Sequence, residues 1–181
     1  MKVLLDTCVI YPTVMRELIL GVAGKGAFIP LWSERVLAEW VRATAKIGPD
    51  AQAQATGEAA LMAARWPGAC VGYASSLEAR LWLPDPADRH VLAAAIAGSA
   101  DGIVTLNARD FPRGVLAEEG LWRADPDAFL HGIWQAQPDL VAEVAEDVLT
   151  KARRLSEGDW EMRALLKKAR LPRLAKALSQ P

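Results

Sequence analysis

Short apolar runs alternate with longer segments of helical periodicity along the first 135 residues of the chain. Runs this short, bounded by turn residues, predict β-strands, and apolar residues three or four positions apart predict amphipathic helices. The predicted strands are residues 2–5, 27–31, 69–73, 103–106 and 121–124. Between them we predict a loop and helix at 7–20 and helices at 34–47, 49–66 and 90–97. Alternating strands and helices indicate an α/β fold, a three-layer α/β/α sandwich around a mostly parallel sheet.

Capping residues mark where two of these helices begin. Ser33 is a good N-cap for helix 34–47, and Asp85, followed by Pro86, occupies the same position before the helix that leads to residue 97. Asp88 falls in the first turn of that helix. His90 then opens its apolar part, and we interpret it as a packing residue or a support for a ligand rather than a ligand itself.

From Asp125 onward the pattern is helical, with segments predicted at 126–135, 139–156 and 159–169 and a final turn from Pro172. We therefore expect a domain at residues 1–135 and a helical extension at residues 136–181. One face of the extension is apolar and is expected to pack on the body of the protein or on a partner. Its residues are Leu165, Leu166, Leu171, Leu174 and Leu178.

Composition narrows the class of protein. Of 181 residues, 52% are hydrophobic and 24% charged, which is enough apolar material for a core. No apolar run has the length of a membrane span, and Met1 leads directly into a strand, so we expect a cytoplasmic protein without a signal peptide. Cys8 and Cys70 are isolated and in apolar surroundings, so we expect buried, reduced thiols, with a disulfide as the lesser alternative.

The charge is divided along the chain. Residues 151–181 carry nine Lys and Arg against three acids, whereas residues 1–150 carry 12 basic and 19 acidic residues. An acidic body is a poor partner for nucleic acid unless its acids hold cations. The basic face could contact phosphates, although solvated helix faces are the commoner explanation. We interpret the seven tryptophans as packing residues rather than base-stacking platforms.

Acidic residues follow two of the predicted strands. Asp6 ends the first strand, and Asn107 and Asp110 follow strand 103–106. Ligands of open α/β sheets bind at the carboxyl ends of strands, so acids gathered there suggest a metal site. Oxygen ligands without a His/Cys cluster favour Mg²⁺ or Mn²⁺ over zinc. Such ions, held by carboxylates, serve phosphodiester hydrolysis. The chain has none of the GxxxxGK[ST], GxGxxG, GxSxG or CxxC motifs, which disfavours a nucleotide-cradling enzyme.

Each acid also has a structural explanation. Asp85 can serve only as a helix cap, and Asp88 can interact favourably with the helix dipole. Glu39 can be a solvated helix residue, and Asp110 can bond its own loop. Asp6 is harder to explain, because a lone buried carboxylate is costly unless it is paired or bound to metal.

Four stretches together resemble a known family. They are VLLDTCVIYP at the start, SERVLAEW in helix 34–47, LPDPADRHVLAAAIAGSADGIVTLNARDFP, and LWRADPDAFL after it. Over residues 1–135 the chain resembles PIN-domain proteins of the VapC-type toxin ribonuclease group. The resemblance implies a Mg²⁺ or Mn²⁺ site of three or four acids that cleaves RNA, in a homodimer silenced by a co-transcribed antitoxin.

By position, the resemblance assigns the family's first three acids to Asp6, Glu39 and Asp88. Asn107 stands where the fourth acid is usual, and Asp110, three residues on, is expected to complete the site directly or through water. Thr7 and Thr105 are expected to support the ligands. The implied metal ligands are Asp6, Glu39, Asp88 and Asp110, and the implied catalytic set adds Asn107.

Three hypotheses for function follow. The first is a metal-dependent RNA endonuclease that is the toxin of a toxin–antitoxin pair. The second is a catalytically weak PIN scaffold that binds RNA or a protein, motivated by Asn107 at the fourth position and by the acidic body. The third is a nuclease that is not a toxin and acts in RNA processing or on DNA.

Overall fold

A four-stranded sheet forms the centre of the fold in the computed structural model, which describes residues 1–156 and 158–179. The strands are β1 (Lys2–Leu5), β2 (Ile29–Leu31), β3 (Gly102–Val104) and β4 (Trp122–Ala124), in the spatial order β2-β1-β3-β4. β1 pairs in parallel with both neighbours, with Leu4 opposite Leu31 on one side and Ile103 on the other. The predicted α/β/α class with a parallel sheet is confirmed.

Helices occupy most of the chain between and after the strands. In the part of the chain ahead of β4 they are α1 (Thr7–Ile10), α2 (Thr13–Gly24), α3 (Glu34–Thr44), α4 (Pro49–Arg65), α5 (Ser75–Arg80), α6 (Arg89–Ala97) and α7 (Arg113–Glu118). After β4 come α8 (Pro126–Ala136), α9 (Pro138–Ser156), α10 (Met162–Lys168) and α11 (Pro172–Ala177). None of the helices in the described ranges has both the length and the apolar character needed to cross a membrane.

The central strand brings the ends of β1 and β3 together. Residues 3–5 are buried, which suits a strand covered on both faces. The backbone N–H of Asp6, just past β1, donates to the carbonyl of Val104 at 3.2 Å. Asp6 and Thr105 therefore leave the sheet side by side at its carboxyl edge.

The predicted caps are present. The Ser33 hydroxyl accepts from the N–H of Val36 at 3.2 Å and begins α3. Asp85 Oδ1 accepts from the N–H of Ala87 at 2.8 Å and begins a 3-10 turn over Pro86–Asp88. Asp88 ends that turn and is the N-cap residue of α6, but its side chain makes no capping bond. The Asp88 carboxylate is thus left available for other partners.

The chain divides into two compact units. The first comprises Met1–Tyr11 and Ile29–Arg123 and contains nearly all of the sheet, and the second comprises Pro12–Phe28 and Ala124–Pro181. The expected boundary after residue 135 stays a prediction, because the compact units group residues 12–28 and 124–135 with the C-terminal helices. The sequence gives no sign that α2 belongs with helices more than a hundred residues away.

The second unit is a helical assembly with its own core. Gly21 of α2 lies directly against Val144 of α9, where a Cβ would meet the valine side chain at 2.5 Å. Phe28 and Phe129 meet edge to face, with ring centroids 5.0 Å apart. Of the predicted apolar face, four leucines are buried within the chain and the fifth is half-buried: Leu165, Leu166, Leu171, Leu174 and Leu178.

A buried carboxylate ties α11 to α8. Asp127, only 6% exposed, accepts from the N–H groups of Arg173 and Leu174 at 2.9 and 3.0 Å. The N-cap residue of α11 is Leu171, which has no side-chain acceptor of its own. Asp127 therefore supplies the cap from another helix and fixes where α11 docks.

Three predictions about residues 69–83 are wrong. The predicted strand 69–73 is a single parallel bridge between Trp32 and Cys70, because only Ala69 and Val71 bond the Trp32 backbone. The segment expected to be irregular contains α5, whose six residues include none that is buried and so give no apolar period. Cys70 is exposed, not buried, and Cys8 is partly buried; both thiols are free.

We predict that Asp127→Ala lowers the free energy of unfolding by about 1–2 kcal/mol, because it leaves two N–H groups of α11 without an acceptor. Asp127→Asn keeps one acceptor oxygen and should lose less. The matched control is Asp139→Ala in the first turn of α9, which is exposed and should change stability by less than about 0.5 kcal/mol. Urea denaturation measures all three, and equal losses at both positions would contradict the capping role.

Candidate metal centre

Three carboxylates of the first unit form a tight cluster. Asp85, Asp88 and Asp110 each offer an oxygen, and these oxygens all lie within 4.8 Å of one another. Asp85 precedes the 3-10 turn, Asp88 begins α6, and Asp110 lies in the loop after β3. The cluster thus joins the segment before α6 to the carboxyl end of β3, the edge where ligands of parallel sheets bind.

Asp88 is the centre of this cluster. Its Oδ2 accepts a hydrogen bond from the Asn107 amide at 3.1 Å, which fixes the carboxylate orientation. Partial burial, followed by the charges of Asp6, Asp85, Asp110 and Glu39 in that order, raises the pKa of Asp88 to about 6. Asp88 therefore feels every other acid that the sequence placed at the site.

Asp6 lies beside the cluster and is held by hydroxyl and thiol groups. Its carboxylate is 7% exposed, and its Oδ2 accepts from the Thr105 hydroxyl at 2.6 Å and from the Cys8 thiol at 3.1 Å. Burial, with the Asp6 charge second, raises the pKa of Cys8 to about 12, so the thiol stays protonated and remains a donor. The N–H of Asn107 donates to Thr105 Oγ1 at 2.9 Å, which links Asp6 to the Asn107 loop.

Glu39, on α3, is held by three donors. The Thr7 hydroxyl donates to Oε2 at 3.2 Å, while His90 Nε2 and Arg35 Nε lie 3.1 and 3.3 Å from Oε1. His90 is only 1% exposed, and burial lowers its pKa although Glu39 acts in the opposite direction. A neutral His90 that donates through Nε2 leaves Nδ1 as an acceptor, and no described residue bonds to that atom.

The structure brings the predicted site residues together in part. Asp88 and Asp110 belong to the cluster, and Asn107, Thr105 and Thr7 each bond one of the predicted acids. Among the described residues, Asp6 and Glu39 are not members of the group within 4.8 Å. Their charges still contribute to the raised pKa of Asp88. The assignment of Asp6 and Glu39 as direct ligands stays a prediction.

Asp85 is the residue that sequence reasoning missed. We expected it to act only as a cap, and it does cap the 3-10 turn, but it is also a member of the cluster. The signal was its distance from Asp88. Three residues apart across a helix start, two side chains lie on the same face, so both can serve one site.

The donor set fits a hard divalent cation. The cluster contains carboxylate oxygens alone, which are the ligands that Mg²⁺ and Mn²⁺ prefer. The raised pKa of Asp88 has the sign expected for carboxylates held together against their repulsion. A cation among them would replace that repulsion by attraction.

Comparison with known families agrees with the resemblance noted in the sequence. A family model described as PIN domain matches residues 2–109, which is more than half of the chain. The matched region contains Asp6, Glu39, Asp85 and Asp88 and ends one residue before Asp110. No curated protein and no solved structure matched the chain.

Because folding raises the pKa of Asp88 from 3.8 to about 6, the native state binds its proton more tightly than the unfolded chain does. The Asp88 contribution to stability is thus fully favourable below about pH 4 and is lost as the pH rises to about 6. In EDTA, we predict that Asp88→Asn raises the melting temperature above about pH 7 and that this gain vanishes near pH 4.

Asp50→Asn is the control for this experiment, since Asp50 is an exposed acid in the first turn of α4. Its removal should not stabilise the protein at any pH, because a carboxylate there interacts favourably with the helix dipole. A gain for Asp88→Asn that is the same at about pH 4 and pH 8 would contradict the raised pKa of Asp88.

Proposed function

The chain belongs to the PIN-domain family, whose members are generally nucleases, and from that premise we propose that it is a divalent-metal-dependent endoribonuclease. The observation that carries the proposal is the group of Asp85, Asp88 and Asp110 within 4.8 Å at the carboxyl edge of the sheet. RNA is the substrate class that the sequence resemblance implies.

The residues that would hold Mg²⁺ or Mn²⁺ are Asp88, Asp85 and Asp110, with Asp6 and Glu39 as the further ligands that the sequence predicts. When bound, the ion supplies Lewis acidity, lowering the pKa of water and offsetting the charge of the phosphodiester. Asp6 still has Oδ1 beyond the two hydrogen bonds, both of which fall on Oδ2. Asp85 likewise uses Oδ1 for the cap.

The remaining polar residues orient these carboxylates. Thr105 and Cys8 hold Asp6, and Asn107 holds Asp88. Because these carboxylates are already oriented, they would lose little side-chain entropy when a metal ion binds. At neutral pH Asp88, with a pKa of about 6, is mostly ionised and can bind a cation. Under acid conditions its proton competes with the ion.

One observation favours the alternative, a PIN protein that binds RNA but cuts it poorly. Both Glu39 oxygens are engaged by Thr7, His90 and Arg35, and Asn107 adds no charge at the fourth position. The site then depends on Asp85 to supply the missing negative charge. The cleavage experiment below separates the two functions.

We further propose the biological role that the resemblance implies, a toxin acting on cytoplasmic RNA as a homodimer and silenced by an antitoxin. Expression in a bacterial host should arrest growth, and co-expression of a small adjacent reading frame should relieve the arrest. Growth arrest that persists with Asp88→Asn would argue against a nuclease toxin. Light scattering tests the dimer.

We predict that Asp88→Asn and Asp110→Asn each reduce cleavage of an RNA oligonucleotide in Mg²⁺ by orders of magnitude. The control is Glu118→Gln, an exposed acid of α7, which should retain full activity. Asp85→Asn preserves the cap, since asparagine and aspartate cap equally well, but should raise the Mg²⁺ concentration needed for half-maximal cleavage several-fold. Wild-type protein that binds RNA without cutting it would favour the scaffold function.

Metal binding has a readout that does not need turnover. Mn²⁺ at 100 times its Kd should stabilise the protein by about 2.7 kcal/mol, because the ion binds the folded site and not the unfolded chain. We predict a large rise in melting temperature at about pH 8 and a smaller one at about pH 5, where protonated Asp88 competes with the ion. The melting temperature of Asp88→Asn should rise only slightly at either pH. Equal rises in the wild-type protein and in Asp88→Asn would indicate diffuse ion binding.

A further inference from the structure

Trp82 projects from a segment that is otherwise anchored in the core. Trp82 is 61% exposed, whereas its neighbours Leu81 and Leu83 are 5% and 1% exposed. The backbone at Leu81 is extended, so successive side chains point to opposite sides. The two leucines fix the segment, and the exposure of the indole is therefore set by the fold and not by a loose loop.

Exposure distinguishes Trp82 from every other tryptophan of the chain. Trp32 and Trp40 are buried, and the other four are half-buried. A tryptophan is among the largest apolar groups a protein can bury, so leaving one in water forgoes considerable stabilisation. An exposed indole on a rigid segment is suited to a ligand with a flat face.

The position of Trp82 places it close to the acidic cluster. Asp85 follows it by three residues, which limits the separation of their Cα atoms to about 11 Å. Pro84 and Pro86 lie on either side of Asp85, and each restricts the backbone by fixing φ. The Trp82 backbone therefore stays within about 11 Å of the Asp85 backbone, close enough for one RNA strand to contact both residues.

Charge favours such a contact. The first unit carries 10 Lys and Arg against 12 acids, and three of those acids form the cluster itself. Phosphate contacts normally supply most of the affinity for nucleic acid, and the excess of acids weakens that contribution. Stacking of a base on an aromatic ring does not depend on net positive charge.

We infer that Trp82 is a stacking platform for an unpaired base of the substrate, which makes this side chain a positioning residue for single-stranded RNA. This inference rests on the proposed function, since it takes the cluster as the place of the phosphate. Bases in a duplex are stacked on both faces and cannot reach a side-chain ring, whereas bases of a single strand can be splayed onto it. The interpretation of all seven tryptophans as packing residues is then wrong for Trp82.

Binding tests the inference apart from cleavage. With the full-length wild-type protein and Ca²⁺ in place of Mg²⁺, so that a hard cation is present while cleavage is slowed, fluorescence anisotropy measures the affinity for a labelled, unstructured oligoadenylate and for the corresponding duplex RNA. We expect Trp82→Ala to weaken single-strand binding about 5- to 100-fold and duplex binding little. Trp82→Phe should keep most of the affinity, and Leu61→Ala, at another exposed apolar residue, should change nothing.

Salt dependence supplies a second readout. Loss of stacking should leave the slope of log affinity against log salt unchanged, whereas loss of a phosphate contact would reduce it. Unchanged single-strand affinity in Trp82→Ala, an equal loss for duplex, or no single-strand binding by the parent protein would each overturn the inference. Trp82-dependent binding by a wild-type protein that cuts no RNA would overturn the proposed function and leave the stacking platform intact.

Discussion

Repulsion among carboxylates gathered at one edge of the sheet is the constraint on which the rest of the site depends. Partial burial and the charges of four other acids together raise the pKa of Asp88 to about 6. The fold opposes this repulsion with directed donors: Asn107 for Asp88, Thr105 and Cys8 for Asp6, and Thr7, His90 and Arg35 for Glu39. All of these donors except the Arg35 cation fix an acid in place without adding positive charge, which keeps the cluster able to bind a cation.

The parts of the fold that could be predicted are those decided by local chemistry. Ser33 and Asp85 cap the elements they were expected to cap. A side-chain oxygen just before a helix can accept a hydrogen bond from a backbone N–H of the first turn, which otherwise has no partner. The buried strand β1 was recognisable from its apolar run, and Asp6 from its position after it. The predictions were wrong where local signals are weak. Helix α5 buries no residue, and the short apolar run around Cys70 predicted a strand where the structure has a single bridge.

The sequence predicted two of the three members of the acidic cluster but not its geometry. The sequence pointed to Asp88 and Asp110, and the structure adds Asp85, whose capping bond uses one oxygen and leaves the residue in the cluster. The donors around Glu39 come from α1, α3 and α6, and a contact among three helices has no signature in sequence spacing. Long-range partners of this kind follow from packing, so only the structure shows which acids are held and which form the cluster.

The discontinuity of the second unit has a consequence for how the chain folds during synthesis. α2 is made before most of the sheet, yet Gly21 packs against Val144 of α9 and Lys25 pairs with Glu143 at 2.5 Å. Until the ribosome has released those residues, the apolar face of α2 has no partner within its own unit. Nascent domains that wait in this state are prone to aggregate or to recruit chaperones. The first unit, which receives its last strand at Trp122–Ala124, can close earlier. All segments that carry the acidic site therefore leave the ribosome before the helices that follow β4.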